Sequence, residues 1–176
     1  MLSKWPSLIT GNGIELNEIC PSSLGVLERC HANEAVRGFV NTKHKTTMQE
    51  LLEWFAADYF RENHVVYIIG DGLGYTTASK SPKPEIGIVL LPEFRGKGIA
   101  AAAWHAMCRT GFSVGIRKIV ARTLPSNDHC AILLKKLGFT YEGHLRKDLY
   151  LNGGFHDVHF YGLFENELKD VDAPKL

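Results

Sequence analysis

The chain has 176 residues, enough for one domain with a sizeable buried core. Hydrophobic residues make up 45% and charged residues 22%, which excludes a disordered or low-complexity chain. Twenty Lys and Arg against nineteen Asp and Glu leave a net charge of +1, too little for the broad field of a nucleic-acid or membrane-surface binder.

Met1 to Thr10 has no long apolar core and does not read as a signal peptide. Alternation of Ile14 and Leu16 predicts a first strand over Gly13 to Ile19. Pro21-Ser22-Ser23 opens a helix with Leu24, Leu27 and His31 on one face. Thr46 or Thr47 caps a second helix, with Glu50 completing a capping box from Thr47, and Leu51, Leu52, Phe55, Tyr59 and Phe60 repeat at helical spacing. Trp54 and Tyr59 are expected in the core rather than in a binding pocket. Val65 to Ile69 and Leu73 to Ser79 read as strands joined at the hairpin signal Asp71-Gly72. A strand follows over Glu85 to Leu91, then an Ala-rich helix over Lys97 to Phe112. Lys118 to Leu124 is another strand. Pro125-Ser126 opens a helix that runs to Leu137 and ends on Gly138. Phe139 to Leu151 and Phe155 to Phe164 form a long hairpin around Asn152-Gly153-Gly154. The reading is a single α/β domain over residues 1–176, with the ends 1–10 and 166–176 loosely ordered. It holds one twisted, mostly antiparallel mixed sheet of about six or seven strands, with helices on both faces.

The four cysteines, Cys20, Cys30, Cys108 and Cys130, show no C-x-x-C pair, and the eight histidines show no H-E-x-x-H. No metal is expected, and free thiols fit a reducing cytoplasm. No 18-residue apolar run predicts a membrane span.

The chemistry concentrates in Arg95-Gly96-Lys97-Gly98-Ile99-Ala100. A strand, a glycine-bearing loop and a helix start make an anion site. The first turn of a helix holds N–H groups without intrahelical partners, at the positive end of the helix dipole. Gly96 and Gly98 let the backbone approach a phosphate, and Arg95 and Lys97 add positive charge. A Walker loop is excluded, because Leu91 stands at its first-glycine position and Gly98 follows Lys97. A dinucleotide fingerprint fits Gly96, Gly98 and Ala101 loosely. Four residues intervene after the strand, however, and no acid follows until Asp128. A helix entrance without a ligand is the plain alternative.

Beyond the loop come Asn127, then Lys136-Leu137-Gly138-Phe139, then Glu142-Gly143. With Arg95, Gly98 and Ala100 in this order, the chain from Glu85 to Leu163 resembles the GNAT superfamily of acyl-CoA-dependent N-acetyltransferases, and within it the branch of ribosomal-protein N-terminal acetyltransferases. The resemblance implies acetyl-CoA as cosubstrate, held by Arg95, Gly96, Lys97, Gly98, Ile99 and Ala100. It also implies that the pantetheine arm pairs with the strand backbone at Val89, Leu90 and Leu91, in a cleft splayed open between Glu85–Leu91 and Lys118–Leu124. The amine enters from the side of the two N-terminal helices.

Glu85 is the candidate base. A solvated carboxylate, or one that binds the substrate ammonium without titrating, reads as well. Asn127 is a contact to the pantetheine arm, a helix N-cap, or both. The acid is the departure from the family: Leu134 stands where many members have Tyr, and Cys130 where the branch often has Ser. Cys130 is the candidate donor, with packing the favoured reading. Lys135 and Lys136 read as a solvated helix face. The implied reaction is direct attack by a primary amine, of a protein N-terminus or of a small molecule, on acetyl-CoA. A non-catalytic acyl-CoA-binding domain and a nicotinamide-dependent oxidoreductase compete with it. Both monomer and homodimer are compatible with the sequence, and no nucleic-acid or membrane partner is expected.

Overall fold

The computed structural model describes residues 5–37, 46–57 and 62–175. The chain enters through a hairpin, β1 (Leu8–Gly11) against β2 (Ile14–Glu18). Asn12 and Gly13 close its two-residue turn at φ of 51° and 73°, the mirror-image geometry that matches strand twist. The sequence carries no clear signal for β1, and of residues 1–10, expected to be loosely ordered, the first four lie outside the described residues. Trp5 and Ile9 are buried in the main core.

A short 3-10 turn (Pro21–Ser23) leads into α1 (Leu24–Ala32), whose Leu24, Leu27, Cys30 and His31 are buried along one face. The brief helix α2 (Glu34–Arg37) follows, and then α3 (Met48–Ala56). Thr47 caps α3 as expected: its Oγ1 accepts from the Glu50 N–H at 3.3 Å, and the Glu50 carboxylate accepts from the Thr47 N–H at 2.7 Å. Tyr59 and Phe60, expected on the same helix, lie outside the described residues. Strands β3 (His64–Ile69), β4 (Gly74–Ser79) and β5 (Ile86–Leu90) complete a five-stranded antiparallel sheet in the order β1-β2-β3-β4-β5.

After the loop, α4 (Ile99–Ser113) packs on this sheet, with Ala101, Ala102, Ala103, Trp104, Ala106 and Met107 all buried. Small residues make the contact close. A Cβ on Gly11 of β1 would meet the Ala106 Cβ at 3.3 Å. Then come β6 (Lys118–Thr123), α5 (Asp128–Leu137) and the long hairpin of β7 (Thr140–Leu151) and β8 (Gly154–Phe164). The hairpin turns on Asn152-Gly153, and β6, β8 and β7 form a second antiparallel sheet of three strands. Where one sheet of six or seven strands was expected, the described residues form eight strands in two sheets. Their meeting point is one parallel bridge, Glu85 to Val120.

Of residues 166–176, expected to be loosely ordered, the last lies outside the described residues and the others make defined contacts. The Lys169 N–H donates to Leu137 O at 3.1 Å, and Leu168 and Val171 pack on the core. The path of this segment needs Gly138, which ends α5 at φ 97°, because a Cβ there would drive into the Glu167 carbonyl. Left-handed strain costs about 1–2 kcal/mol and overpacking about 1–3 kcal/mol. Gly138→Ala is therefore expected to lower unfolding stability by about 2–5 kcal/mol, read from the urea midpoint. An unchanged midpoint would show that the segment yields freely.

Candidate functional site

The site grows from the parting of β5 and β6. Register decides which backbone groups face the gap. The Leu91 N–H donates to Leu73 O at 3.1 Å and the Ser79 N–H to Glu85 O at 3.0 Å, so the odd-numbered residues of β5 spend their polar groups on β4. The even-numbered residues turn the other way. The Pro84 carbonyl accepts from the Val120 N–H at 2.9 Å, which is the closed end of the gap. Beyond it, among the described residues, the backbones of Ile88 and Leu90 face no partner strand. Of the three residues expected along the pantetheine arm, Val89 and Leu91 pair their backbone with β4, and Leu90 faces the gap. Ile88, which the sequence did not single out, shares the orientation of Leu90. The strand boundary within a residue, which patterning does not supply, is what sets this parity.

The side chains alternate likewise. Ile86, Ile88 and Leu90 pack toward the main core beneath α4, whereas Val89 and Leu91 pack with Cys30 and Val36 from the N-terminal helices. Glu85 shares the parity of Val89. Its carboxylate accepts from Arg122 Nε at 3.0 Å and 2.9 Å to its two oxygens, and Arg122 Nη1 reaches Asp148 Oδ2 at 3.4 Å. The bond to Glu85 raises the Arg122 pKa. A register shift between Leu145 and Leu149, with Lys147 at φ 52°, bends β7 where it carries Asp148. Neither Arg122 nor Asp148 was picked out from sequence; only the bridge at Val120 and this bulge bring them to Glu85.

At the open end stands the glycine loop. Gly96 and Gly98 adopt φ of 74° and 83°, and Gly98 is the N-cap of α4 with no side-chain hydrogen bond to the helix. A Cβ on Gly96 would meet nothing within 4 Å, so that approach is open. No acidic residue occupies the first turn of α4. Ile99 is buried beneath the turn and Ala100 is partly buried. The two loop cations are partly engaged: Arg95 folds back, its Nε donating to Leu90 O at 3.2 Å, and Lys97 Nζ lies 5.6 Å from the centre of the Phe94 ring.

Across the gap, Asn127 caps α5, its Oδ1 accepting from the Cys130 N–H at 3.2 Å. The capping reading is realised, and the amide NH₂ is left to donate elsewhere. Cys130 is half-buried beside Thr123. Burial pushes its thiol pKa up, opposed by the hydrogen bond with Thr123. Tyr161, on β8 opposite Ala121, is a neighbour; burial raises its phenol pKa, and Tyr141 and Cys130 add to that. Leu134 is fully buried in the core, and Lys135 and Lys136 are exposed. Thr123 lies three residues along β6 from Val120, about 10 Å, so Glu85 and Cys130 stand well apart on opposite faces.

On the side of the N-terminal helices, His31 is buried between Tyr75 Oη at 2.9 Å and Thr46 Oγ1 at 3.1 Å, and burial lowers its pKa. Among the described residues no group of three or more His, Cys, Asp or Glu is placed to hold a metal ion, and no helix is long and apolar enough to cross a membrane.

A helix entrance without a side-chain cap therefore stands at the mouth of a gap between two parting strands. The profile of the acetyltransferase (GNAT) domain matches residues 14–140 of the chain. The protein belongs to the GNAT acetyltransferase family. YoaA, an uncharacterized N-acetyltransferase of Bacillus subtilis (strain 168), is 26% identical over 161 residues, covering 84% of this chain and 91% of the relative. Among solved structures, RimL, a ribosomal L7/L12 alpha-N-protein acetyltransferase in complex with coenzyme A, superposes with TM-score 0.81 at 22% identity, covering 89% of this chain and 97% of that one. A spermidine N-acetyltransferase from Vibrio cholerae, in complex with CoA and spermine, gives TM-score 0.78 at 18% identity, covering 88% and 97%. The GNAT motif residues divide by task in this chain. Gly138 turns α5 out, Glu142 pairs with Lys118 at 2.6 Å, and Gly143 sits at a bulge of β7, so these serve the fold rather than the gap.

Proposed function

We propose that this GNAT protein transfers an acetyl group from acetyl-CoA to a primary amine, with a protein N-terminal amine as the favoured acceptor. The observation that carries the reading is the uncapped α4 entrance, with Gly96 and Gly98 in the left-handed region, at the mouth of the gap where β5 leaves β6. The loop Arg95–Ala100 holds the pyrophosphate on backbone N–H groups. The β5 backbone at Ile88 and Leu90 takes the pantetheine arm, Leu90 exchanging its bond from Arg95 for one from the ligand. The Asn127 amide donates to the same arm. The amine enters over Val89 and Leu91, from the side of α1 and α2.

Glu85 receives the ammonium proton or orients the amine, at the closed end of the gap. The neutral nitrogen attacks the thioester carbon; a C–N bond forms, the C–S bond breaks, and the CoA sulfur leaves with the electron pair and takes up a proton. Hydrogen-bond donors along the gap oppose the charge that develops on the carbonyl oxygen. A protein N-terminus is favoured because the loop motifs resemble the ribosomal-protein branch and RimL is a structural neighbour. A polyamine or other small amine is the second reading, favoured by the spermidine acetyltransferase neighbour.

A panel of acetyl-CoA, CoA and NADPH by thermal shift, followed by thiol release with a panel of peptide and small amines, tests the proposal. Stabilisation by NADPH alone would overturn it in favour of an oxidoreductase. Stabilisation by acetyl-CoA with no thiol release on any amine would leave an acyl-CoA-binding domain without catalysis.

Cys130 supplies a separate expectation. Its thiol is half-buried and bonded to Thr123, and burial raises its pKa. A CoA thiolate, with a thiol pKa of about 8.5, is already a competent leaving group. Cys130→Ala is expected to keep turnover within about tenfold of wild type, below the 10²–10⁴ contribution of a positioned acid. A loss beyond about a hundredfold, rescued by Cys130→Ser with acetyl-CoA binding intact, would make Cys130 the acid.

A further inference from the structure

The segment after β8 ends beside the phosphate loop. It passes the end of α5 at Gly138, runs along α4 past His105, and reaches the α4 N-terminus. Four contacts fix this course. The Lys169 N–H donates to Leu137 O at 3.1 Å. The Asp170 carboxylate lies 3.4 Å from Nε2 of buried His105, in the middle of α4. Asn12, in the β1–β2 turn, joins the same ring at Nδ1 at 3.0 Å and donates to Val171 O at 3.3 Å. Finally, the Lys175 N–H donates to the Lys97 carbonyl at 2.9 Å, while the Pro174 Cα lies 3.5 Å from where a Cβ of Gly98 would stand.

We infer that this segment is part of the acyl-CoA site and that Lys175 contributes a cation to the phosphate groups of CoA. The inference rests on the acetyl-CoA reading above and adds a residue to it. Lys175 is exposed and its backbone is tied to the loop itself, so its flexible four-carbon stem starts within one residue of the cradle. The loop's own cations leave room for it, because Arg95 is bonded back to Leu90 and Lys97 rests on Phe94. Two acids share the segment. Asp170 faces His105, at the middle of α4, and exposed Asp172 lies three residues before Lys175. The ligand chemistry is phosphate, supplied either by the pyrophosphate or by the 3′-phosphate of the ribose.

Isothermal titration of CoA and of 3′-dephospho-CoA against wild type, Lys175→Ala, Lys175→Glu and Lys169→Glu tests this. Each exposed charge pair is worth a fraction of a kcal/mol, so the alanine variant is expected to bind CoA about threefold more weakly and the glutamate variant about tenfold, at low salt. Both losses shrink at high salt. Lys169→Glu changes the same charge at the far end of the segment and is expected to bind as wild type. Losses that persist with dephospho-CoA assign Lys175 to the pyrophosphate, and losses that vanish assign it to the 3′-phosphate. Unchanged CoA affinity in both Lys175 variants, with wild type binding normally, overturns the inference alone. A wild-type protein that binds neither ligand overturns the proposed function and this inference with it.

Discussion

Gly98→Glu is expected to abolish the rise in Tm that acetyl-CoA confers on the wild-type protein, since a ligand that binds only the native state stabilises in proportion to its affinity. Gly98 stands at φ 83° as the N-cap of α4, where the first free N–H groups of the helix gather. A glutamate there puts a carboxylate against the phosphates and also imposes left-handed strain. Gly98→Ala separates the two effects. It carries the strain alone, about 1–2 kcal/mol of stability, and is expected to retain binding. Its Cβ stops 3.5 Å from Pro174 Cα, an ordinary contact. Equal acetyl-CoA affinity in wild type and Gly98→Glu, measured by calorimetry, would remove the loop from the site.

Glu85→Gln is expected to lower turnover about a hundredfold or more while leaving acetyl-CoA affinity nearly unchanged. Glu85 lies at the closed end of the gap, away from the glycine loop, so the two substrates are separable by mutation. The fold survives the change. The pair with Arg122 is partly exposed and of a kind that contributes little, and Arg122 keeps Asp148 at 3.4 Å. The variant's rate is expected to climb with pH, because free amine is then supplied by solution chemistry alone. Turnover equal to wild type at neutral pH would take Glu85 out of the mechanism.

Much of the architecture is written in local chemistry. Thr47 and Glu50 cap α3 from within four residues of sequence, Asn152-Gly153 turns the last hairpin, and Gly138 ends α5 in the left-handed region that glycine favours. The missed β1 was equally local. Gly11-Asn12-Gly13 carries the Asn-Gly signal, but Leu8–Gly11 has too few alternating residues to stand out against a polar start.

The local geometry of the glycine loop was legible because left-handed glycine and a helix N-terminus without a side-chain cap belong to contiguous residues. The sequence by itself determined the order of the elements apart from β1 and α2, the family resemblance and the glycines of the loop. Only the tertiary structure decided the rest. It split the expected single sheet where one bridge, Glu85 to Val120, gives way to an open gap. It turned Ile88 and Leu90 toward that gap in place of Val89 and Leu91, because pairing parity depends on the partner strand β4. It joined Glu85 to Arg122 and Asp148 and brought Lys175 to Lys97 across 78 residues of chain (175 − 97). Contacts of that kind have no period and no motif; they exist only once the core has fixed how the elements lie against one another.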